Sequence, residues 1–282
     1  MNNMVKYRLE FFLLKIFFLI LKFFPIDLAS KVGGFLGKTI GPKSSANKTA
    51  IDNFCKAFPE QDINEVNHNL LKMWENFGRT IAEYPFLHIF RGETNKITIE
   101  GEENLKKIDG ISSIIFSGHF ANWEVMATVI ASKSDLALVY RAPNNPLVDN
   151  VIREFRRAIS LDQVRKGPRG AKELISFINK GTNLGMLVDQ KQNDGVPIPF
   201  FGREAMTPTA IAKLSLKYKL CLIPVTIKRI GGTKFHIKVH TKLDINLEKD
   251  DTVCVMKKIN QFLEIAIKEN PSQWLWMHKR WN

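Results

Sequence analysis

The sequence predicts an α/β fold with a largely parallel, mixed sheet that is flanked by helices. From about residue 96, short runs rich in β-branched residues alternate with helical patterns, which is typical of α/β units around a parallel sheet. Before that point the pattern is helical, and it begins with the most apolar stretch of the chain. Hydrophobic residues make up 45% and charged residues 24%, which is the composition of a folded protein and not of a disordered one.

The apolar stretch spans residues 9–24, LEFFLLKIFFLILKFF, and only Glu10, Lys15 and Lys22 interrupt it. A membrane span needs about 20 apolar residues, so this run is short for one. Three interpretations fit it: a buried core helix, a tilted span, or an interfacial helix whose lysines snorkel to water. No small-residue cleavage site follows, so we do not expect a cleaved signal peptide.

The first fifty residues carry eight Lys or Arg residues against two acids, which suits contact with an anionic cytoplasmic leaflet. We therefore interpret the start of the chain as a helical membrane-anchoring segment. We expect membrane-associated helices in residues 1–43 and a single α/β domain in residues 44–282. The spacing of Gly33, Gly37 and Gly41 predicts close packing between helices.

The elements after residue 96 follow in a regular order. Strands are expected over Ile97–Ile99, Ile111–Phe116, Leu136–Tyr140, Leu184–Val188, Leu220–Lys228 and Phe235–Val239. Helices are expected over Trp123–Ala131, Pro146–Ala158, Gly170–Lys180, Thr207–Tyr218 and Thr252–Glu269. Gly231-Gly232 separates the last two strands and predicts a hairpin there.

The chain carries 41 Lys and Arg residues against 28 Asp and Glu, a formal net charge of +13, which favours anionic partners. No nucleic-acid-binding motif accompanies the charge, so nucleic acid is not a predicted partner. Cys55, Cys221 and Cys254 include no CxxC pair, which argues against a disulfide framework and a cysteine zinc site. His236 and His240 share a strand face without a third ligand nearby, so no metal site is predicted.

The most informative chemical pattern is SGHFANWE, residues 117–124, which follows a predicted strand and begins a helix. It therefore lies at the carboxyl end of a strand, where open α/β sheets place ligands. His119 and Glu124 are five residues apart, which on a continuous helix would separate them by about 140°. They can meet if His119 lies in the turn and Glu124 lies early in the helix. A carboxylate that orients a histidine prepares it as a general base, although a lone histidine at a strand end is often structural.

This pattern, with His119 and Glu124 separated by four residues, resembles the signature of the lysophospholipid acyltransferase superfamily. More narrowly, the chain resembles the late acyltransferases of lipid A biosynthesis, the lauroyl/myristoyl transferase family, over almost its whole length. The other segments that carry the resemblance are Asn53–Pro59, Asn76–Arg79, Tyr140–Pro146, Asp189-Gln190, Val196–Gly202, Thr207 and Pro271–Arg280.

The resemblance implies transfer of an acyl chain from acyl carrier protein to a hydroxyl of a lipid A precursor, at the cytoplasmic face of the inner membrane. His119 would remove the proton from the acceptor hydroxyl, and Glu124 would orient its imidazole. The resemblance also makes Asp189 a site residue, with Gln190 beside it on the carboxyl edge of the sheet. A loop-capping aspartate is the alternative interpretation of Asp189.

The oxyanion of such a reaction needs a donor, and Arg141, just after the third predicted strand, is the best-placed cation. A solvated arginine at a strand end is the alternative interpretation of Arg141. The family also has a functional arginine near Arg156 and Arg157, and the sequence does not choose between these two.

Thioester chemistry requires no metal and no cofactor, so neither is predicted. The expected partners are acyl carrier protein, the lipid A precursor and anionic membrane lipids. Two other functions stay open. One is an acyltransferase of the same superfamily that uses acyl-CoA and a phospholipid, glycolipid or aminolipid acceptor. The other is a catalytically silent membrane-bound binding protein, against which the intact His119 and Glu124 argue.

Overall fold

The structure is a computed structural model that describes residues 3–92, 95–106 and 112–281. Its α-helices are α1 (Asn3–Leu21), α2 (Ile26–Ile40), α3 (Ser45–Ala57), α4 (Ile63–Glu83), α5 (Glu103–Lys106), α6 (Trp123–Lys133), α7 (Pro146–Arg156), α8 (Pro168–Asn179), α9 (Ala210–Tyr218) and α10 (Thr252–Glu269). Its strands are β1 (Ile97–Glu100), β2 (Ser113–Ser117), β3 (Leu136–Tyr140), β4 (Gln163–Arg165), β5 (Asn183–Leu187), β6 (Val196–Phe200), β7 (Arg203–Thr207), β8 (Cys221–Gly231) and β9 (Lys234–Val239). Short 3₁₀ turns lie at Gly41–Lys43, Tyr84–Phe90 and Pro271–Gln273.

Among the described residues, one seven-stranded sheet has the order β1-β9-β8-β2-β5-β3-β4. Every pairing in it is parallel except that of β8 with β9. Strand β2 lies near the middle, and all five of its residues are buried, as expected for a strand covered on both faces. The predicted fold class, a largely parallel mixed sheet flanked by helices, is therefore confirmed. Ile111, the first residue of the second predicted strand, lies outside the described residues.

The predicted hairpin between the last two strands is also confirmed. Strands β8 and β9 are antiparallel, and Ile227 faces Ile237 across the pair. Gly232 has a φ of 53°, a conformation that glycine adopts without steric cost.

Three strands of the described residues, β4, β6 and β7, were not predicted from the sequence. Strand β4 is only three residues long, which is too short for a periodic pattern. Strands β6 and β7 form a separate antiparallel ribbon, and β6 contains Pro197 and Pro199, which cannot donate ladder hydrogen bonds. Because Thr207 ends β7, helix α9 begins at Ala210 and not at Thr207 as predicted.

Helix α2 packs closely against α4, as the glycine spacing predicted. A Cβ atom placed on Gly37 would lie 2.2 Å from the carbonyl oxygen of Trp74, and one on Gly33 would lie 2.4 Å from Cβ of Ala82. Side chains at these positions would therefore force the two helices apart. A buried hydrogen bond of 2.6 Å from Ser30 of α2 to Glu83 of α4 joins the same helices.

Helix α1 lies on the surface and is not a buried core helix. Two of its residues, Phe18 and Leu21, are buried, and the ring of Phe18 meets Phe155 of α7 edge to face at 5.0 Å. Its exposed large apolar residues are Met4, Val5, Leu9, Phe12, Leu13, Ile16, Leu19 and Ile20. Within the described residues, no helix is long and apolar enough to cross a membrane.

Candidate active site

The turn after β2 carries the histidine of the SGHFANWE pattern. The side chain of Asn122 caps helix α6, because its Oδ1 accepts hydrogen bonds from the backbone N–H groups of Glu124 and Val125 at 3.1 and 3.2 Å. The carboxyl-terminal tail pairs with the same turn: Leu275 N–H donates to the carbonyl of His119 at 3.1 Å. Helix cap and tail together fix the backbone on both sides of His119.

Asp189 holds the imidazole of His119. Its Oδ1 lies 2.7 Å from Nδ1 of His119, and its Oδ2 accepts a 2.8 Å hydrogen bond from the His119 backbone N–H. The indole N–H of Trp274 donates to the same Oδ2 at 2.7 Å. Burial by itself raises the pKa of Asp189, but the charge of His119 and these hydrogen bonds outweigh it and lower the pKa to about 2. Asp189 is thus a buried, ionised partner of the histidine.

This contact determines which nitrogen of His119 can act as a base. An ionised carboxylate only accepts hydrogen bonds, so in the neutral form of the imidazole Nδ1 carries the proton and Nε2 has the free lone pair. The side-chain amide nitrogen of Gln190 lies 3.5 Å from Nε2, the long limit of a hydrogen bond. The Trp123 ring packs edge to face on the imidazole, with ring centroids 5.0 Å apart. The histidine is therefore held in one orientation, with Nε2 available to a substrate proton.

Glu124 does not orient His119, and the predicted pairing of these two residues is wrong. Its Oε1 lies 2.5 Å from Nη2 of Arg156, and it accepts hydrogen bonds from the Tyr84 hydroxyl at 2.8 Å and the Trp123 indole at 2.9 Å. The physical reason is their angular separation around helix α6. Glu124 faces α7 and the Tyr84 turn, while Asp189 contacts His119 from the segment that follows the neighbouring strand β5.

The environment of Glu124 keeps it charged although it is buried. Burial raises the pKa of Glu124, but the Arg156 cation and the hydrogen bonds from Arg156, Tyr84 and Trp123 lower it overall. In the same cluster, burial and the Glu124 carboxylate raise the pKa of Tyr84 well above its usual value. Arg156 and Glu124 form a buried ion pair at the cavity wall.

The structure separates Arg156 from Arg157, which the sequence could not do. Arg156 lines the cavity beside Glu124. The side chain of Arg157 is 63% exposed, pairs with Glu154 at 3.3 Å and lies away from the cavity. Arg141 also lines the cavity, at the end of β3.

A cavity of about 630 Å³ begins at these polar groups and continues between the sheet and helices α6 and α8. The polar end includes His119, Arg141, Lys166, Gln190 and His278. The remaining wall is largely apolar and includes Ile115, Met126, Ile130, Leu136, Leu138, Val164, Leu174 and Met186. This shape suits a ligand with one polar end and a long hydrocarbon part.

Several residues of the site were not predicted from the sequence, among them Tyr84, Trp274 and His278. Tyr84 and Trp274 contact the two carboxylates, and the His278 ring lies 6.1 Å from that of His119, centroid to centroid. Burial and the nearby His119 lower the pKa of His278. The place of His278 is set by a long-range contact, a 2.7 Å hydrogen bond from Asn53 to its carbonyl, which no local pattern reveals.

Within the described residues, no group of three or more His, Cys, Asp or Glu side chains could hold a metal ion. The site combines the imidazole of His119 and its buried carboxylate partner Asp189 with a cavity wall that carries the paired Glu124 and several cations, which is a set suited to acid–base chemistry.

Comparison with known proteins adds to this geometry. The family model described as bacterial lipid A biosynthesis acyltransferase matches residues 2–282. A lipid A biosynthesis acyltransferase of Haemophilus influenzae is 25% identical over 275 residues, which is 93% of this chain and 84% of that protein. The lipid A biosynthesis lauroyltransferase of Escherichia coli is 23% identical, over 79% of this chain and 74% of its own. The corresponding myristoyltransferase of Escherichia coli is also 23% identical, over 89% of this chain and 79% of its own.

One solved structure, of a 1-acyl-sn-glycerophosphate acyltransferase from Thermotoga maritima, covers 93% of this chain and 99% of its own at 15% identity. The TM-score between the two structures is 0.42.

Proposed function

Because the chain belongs to the bacterial lipid A biosynthesis acyltransferase family, we propose that it transfers a fatty acyl chain from acyl carrier protein to a hydroxyl of a lipid A precursor. The observation that carries the proposal is the position of His119, which Asp189 orients at the polar end of a long apolar cavity. The lauroyl- and myristoyltransferases among its relatives support a medium-length acyl chain as the transferred group.

In the proposed reaction, Nε2 of His119 takes the proton of the acceptor hydroxyl while that oxygen attacks the thioester carbonyl carbon. Asp189 keeps the proton on Nδ1 and stabilises the imidazolium that forms. The tetrahedral intermediate then collapses, the C–S bond breaks, and the thiolate leaves and takes the proton from Nε2. Donor and acceptor supply every atom of this reaction.

Arg156 supports the negative charge of the intermediate. Its guanidinium lines the cavity, and Glu124 together with Tyr84 keeps it in place. A fixed cation near a developing oxyanion lowers the barrier because it needs no reorganisation during the reaction. In this role Glu124 acts through Arg156 and is a positioning residue.

The acyl chain lies along the apolar wall of the cavity. Ile130, Leu136 and Leu174 are buried and line it between the sheet and the two helices. Burial of a hydrocarbon chain is favourable by about 0.8 kcal/mol per methylene group, so such a wall favours long acyl groups over short ones.

The amino-terminal helices bind the membrane surface, and the enzyme works at the cytoplasmic face of the inner membrane. Exposed apolar residues of α1 continue into α2 with Leu28, Val32 and Phe35. Lys and Arg residues lie between them along both helices. An apolar face bordered by cations fits an interface that contains anionic lipids.

A reconstituted assay tests the proposed function. Purified protein is offered acyl carrier thioester or acyl-CoA as donor, with the lipid A precursor or a lysophospholipid as acceptor, and products are identified by mass spectrometry. We expect the precursor to gain the mass of one acyl chain with the carrier-bound donor, and His119→Ala protein to serve as the inactive control. Acylation of the lysophospholipid alone, or a preference for acyl-CoA, would overturn the proposal.

A further inference from the structure

Positively charged side chains outnumber negatively charged ones along the wall of the cavity. Among the described residues that line the cavity, Glu124 is the single acidic one. Its carboxylate forms an ion pair with Arg156, which also lines the cavity. The Lys and Arg residues of the wall are Arg141, Arg156, Arg165, Lys166 and Lys191. Lys and Arg residues therefore outnumber acidic residues on this wall, which favours a ligand with negative charge.

Two of these cations are neighbours at the carboxyl edge of the sheet. Arg141 follows β3 and Lys166 follows β4, two parallel strands in which Tyr140 lies opposite Arg165. The backbone N–H of Lys166 donates to the carbonyl of Tyr140 at 2.8 Å, which continues the ladder by one step. The backbone register therefore brings Arg141 and Lys166 side by side at the cavity mouth.

The described residues provide no carboxylate in salt-bridge contact with either cation. The ammonium group of Lys166 instead donates to the neutral side chain of Gln192. Partial desolvation lowers the pKa of Lys166, the Arg141 cation lowers it further, and Asp194 opposes them only in part. Two adjacent cations of this kind repel each other, and an anion between them would relieve the repulsion.

We propose that Arg141 and Lys166 form a binding subsite for a phosphate group at the mouth of the cavity. An arginine offers a planar pair of donors to a phosphate, and a lysine adds a point charge. Such a subsite would give Arg141 a function in substrate binding, in place of the expected function as a donor to the oxyanion of the reaction.

The position of the subsite fits the proposed function, on which this inference rests. In the sheet, β3 lies two strands and β4 three strands from β2, the strand that leads into the His119 turn. With about 4.8 Å between strands, the phosphate would bind roughly 10–14 Å from the imidazole. The thiol of an acyl carrier lies on a phosphopantetheine arm whose sulfur and phosphorus are separated by 13 bonds, about 15 Å when extended. A phosphate on the acceptor glycolipid is the other source of the same chemical group.

Substrate pairs that differ only in phosphate test the subsite. The donors are acyl-phosphopantetheine and acyl-pantetheine with the same acyl chain, and the acceptors are the lipid A precursor with and without its phosphates. The variants are Arg141→Gln, Lys166→Gln and the double variant. Lys217→Gln is the matched control, because Lys217 is an exposed lysine of α9 away from the cavity.

In either the donor pair or the acceptor pair, we expect each subsite variant to lower kcat/KM for the phosphorylated member by about ten- to a hundredfold. This is the effect expected from the loss of one charge-assisted hydrogen bond. The dephosphorylated member should change less than about twofold, and Lys217→Gln should change neither. The pair that responds identifies the source of the phosphate. An equal loss for both members would place Arg141 at the reacting carbonyl and overturn the proposal, as would no change in either pair.

A binding measurement separates this inference from the proposed function. Calorimetric titration with inorganic pyrophosphate should show binding to wild-type and Lys217→Gln protein, and at least tenfold weaker binding to the double variant. If wild-type protein transfers no acyl chain but binds pyrophosphate in this way, the proposed function is wrong and the subsite stands. If it transfers acyl chains without any dependence on Arg141, Lys166 or phosphate, the function stands and the subsite is wrong.

Discussion

Nδ1 of His119 lies 2.7 Å from Oδ1 of Asp189, a residue 70 positions further along the chain. The contact exists because β2 and β5 are adjacent parallel strands, so the residues after each strand meet at the same edge of the sheet. It replaces the local pairing of His119 with Glu124 that the sequence spacing indicated.

The ionised state of Asp189 makes the fold sensitive to acid. Its pKa is about 2 in the folded protein, against about 3.9 for aspartate in an unfolded chain. The folded value is the lower one, so this stabilisation is complete above about pH 5 and is lost as the pH falls toward 2. In urea unfolding at pH 6 and pH 3, wild-type protein should lose roughly 1 kcal/mol more stability than Asp189→Asn. Equal losses would mean that the aspartate is not held as an anion.

The buried pair of Glu124 and Arg156 is expected to matter for stability as well as for activity. Glu124→Gln leaves the Arg156 cation buried without its carboxylate, and breaking such a pair costs about 3–5 kcal/mol. Glu154→Gln, which breaks the exposed pair with Arg157, should cost less than about 1 kcal/mol. Chemical unfolding of the two variants checks this. Similar losses for both would show that the Glu124 pair is solvated.

The cavity wall is expected to set the length of the acyl chain. Leu174 is 8% exposed and lines the cavity, so Leu174→Ala should extend the apolar space and shift the preferred donor by about two carbons. Leu263 is fully buried outside the cavity, and Leu263→Ala controls for a general loss of core packing. The measurement is kcat/KM over a series of acyl carrier thioesters. An unchanged optimum in Leu174→Ala would place the acyl chain elsewhere.

The exposed face of α1 is expected to determine membrane binding. Phe12 and Ile16 are 57% and 52% exposed, so replacing both with Gln removes apolar surface without disturbing the core. Sedimentation with vesicles that contain anionic lipid should show at least tenfold weaker binding of this variant. Ile265→Gln is the control, because Ile265 is 60% exposed on α10. If both variants bind vesicles equally well, the membrane-binding face is not α1.

Much of the fold could be predicted from the sequence, because buried parallel strands such as Ser113–Ser117 have a short apolar, β-branched centre. The Gly33 and Gly37 packing was also predictable, since small residues at helical spacing indicate close approach. Ribbon β6–β7 was not, because its prolines are untypical of strands. The candidate site was likewise predictable only in part. Local spacing located His119, while the identity of its carboxylate depends on the strand order β2-β5, which no local pattern contains.

The most direct test of the account is the rate of acyl transfer from acyl carrier thioester to the lipid A precursor, measured by mass spectrometry for wild-type, His119→Ala and Asp189→Asn proteins. All three are expected to fold, and circular dichroism provides the check. We predict that His119→Ala lowers kcat by about 10²–10⁴-fold, because it removes the general base. Asp189→Asn should also lower kcat severely, because an amide can hold the imidazole in the wrong tautomer. Wild-type turnover by folded His119→Ala protein would contradict the account.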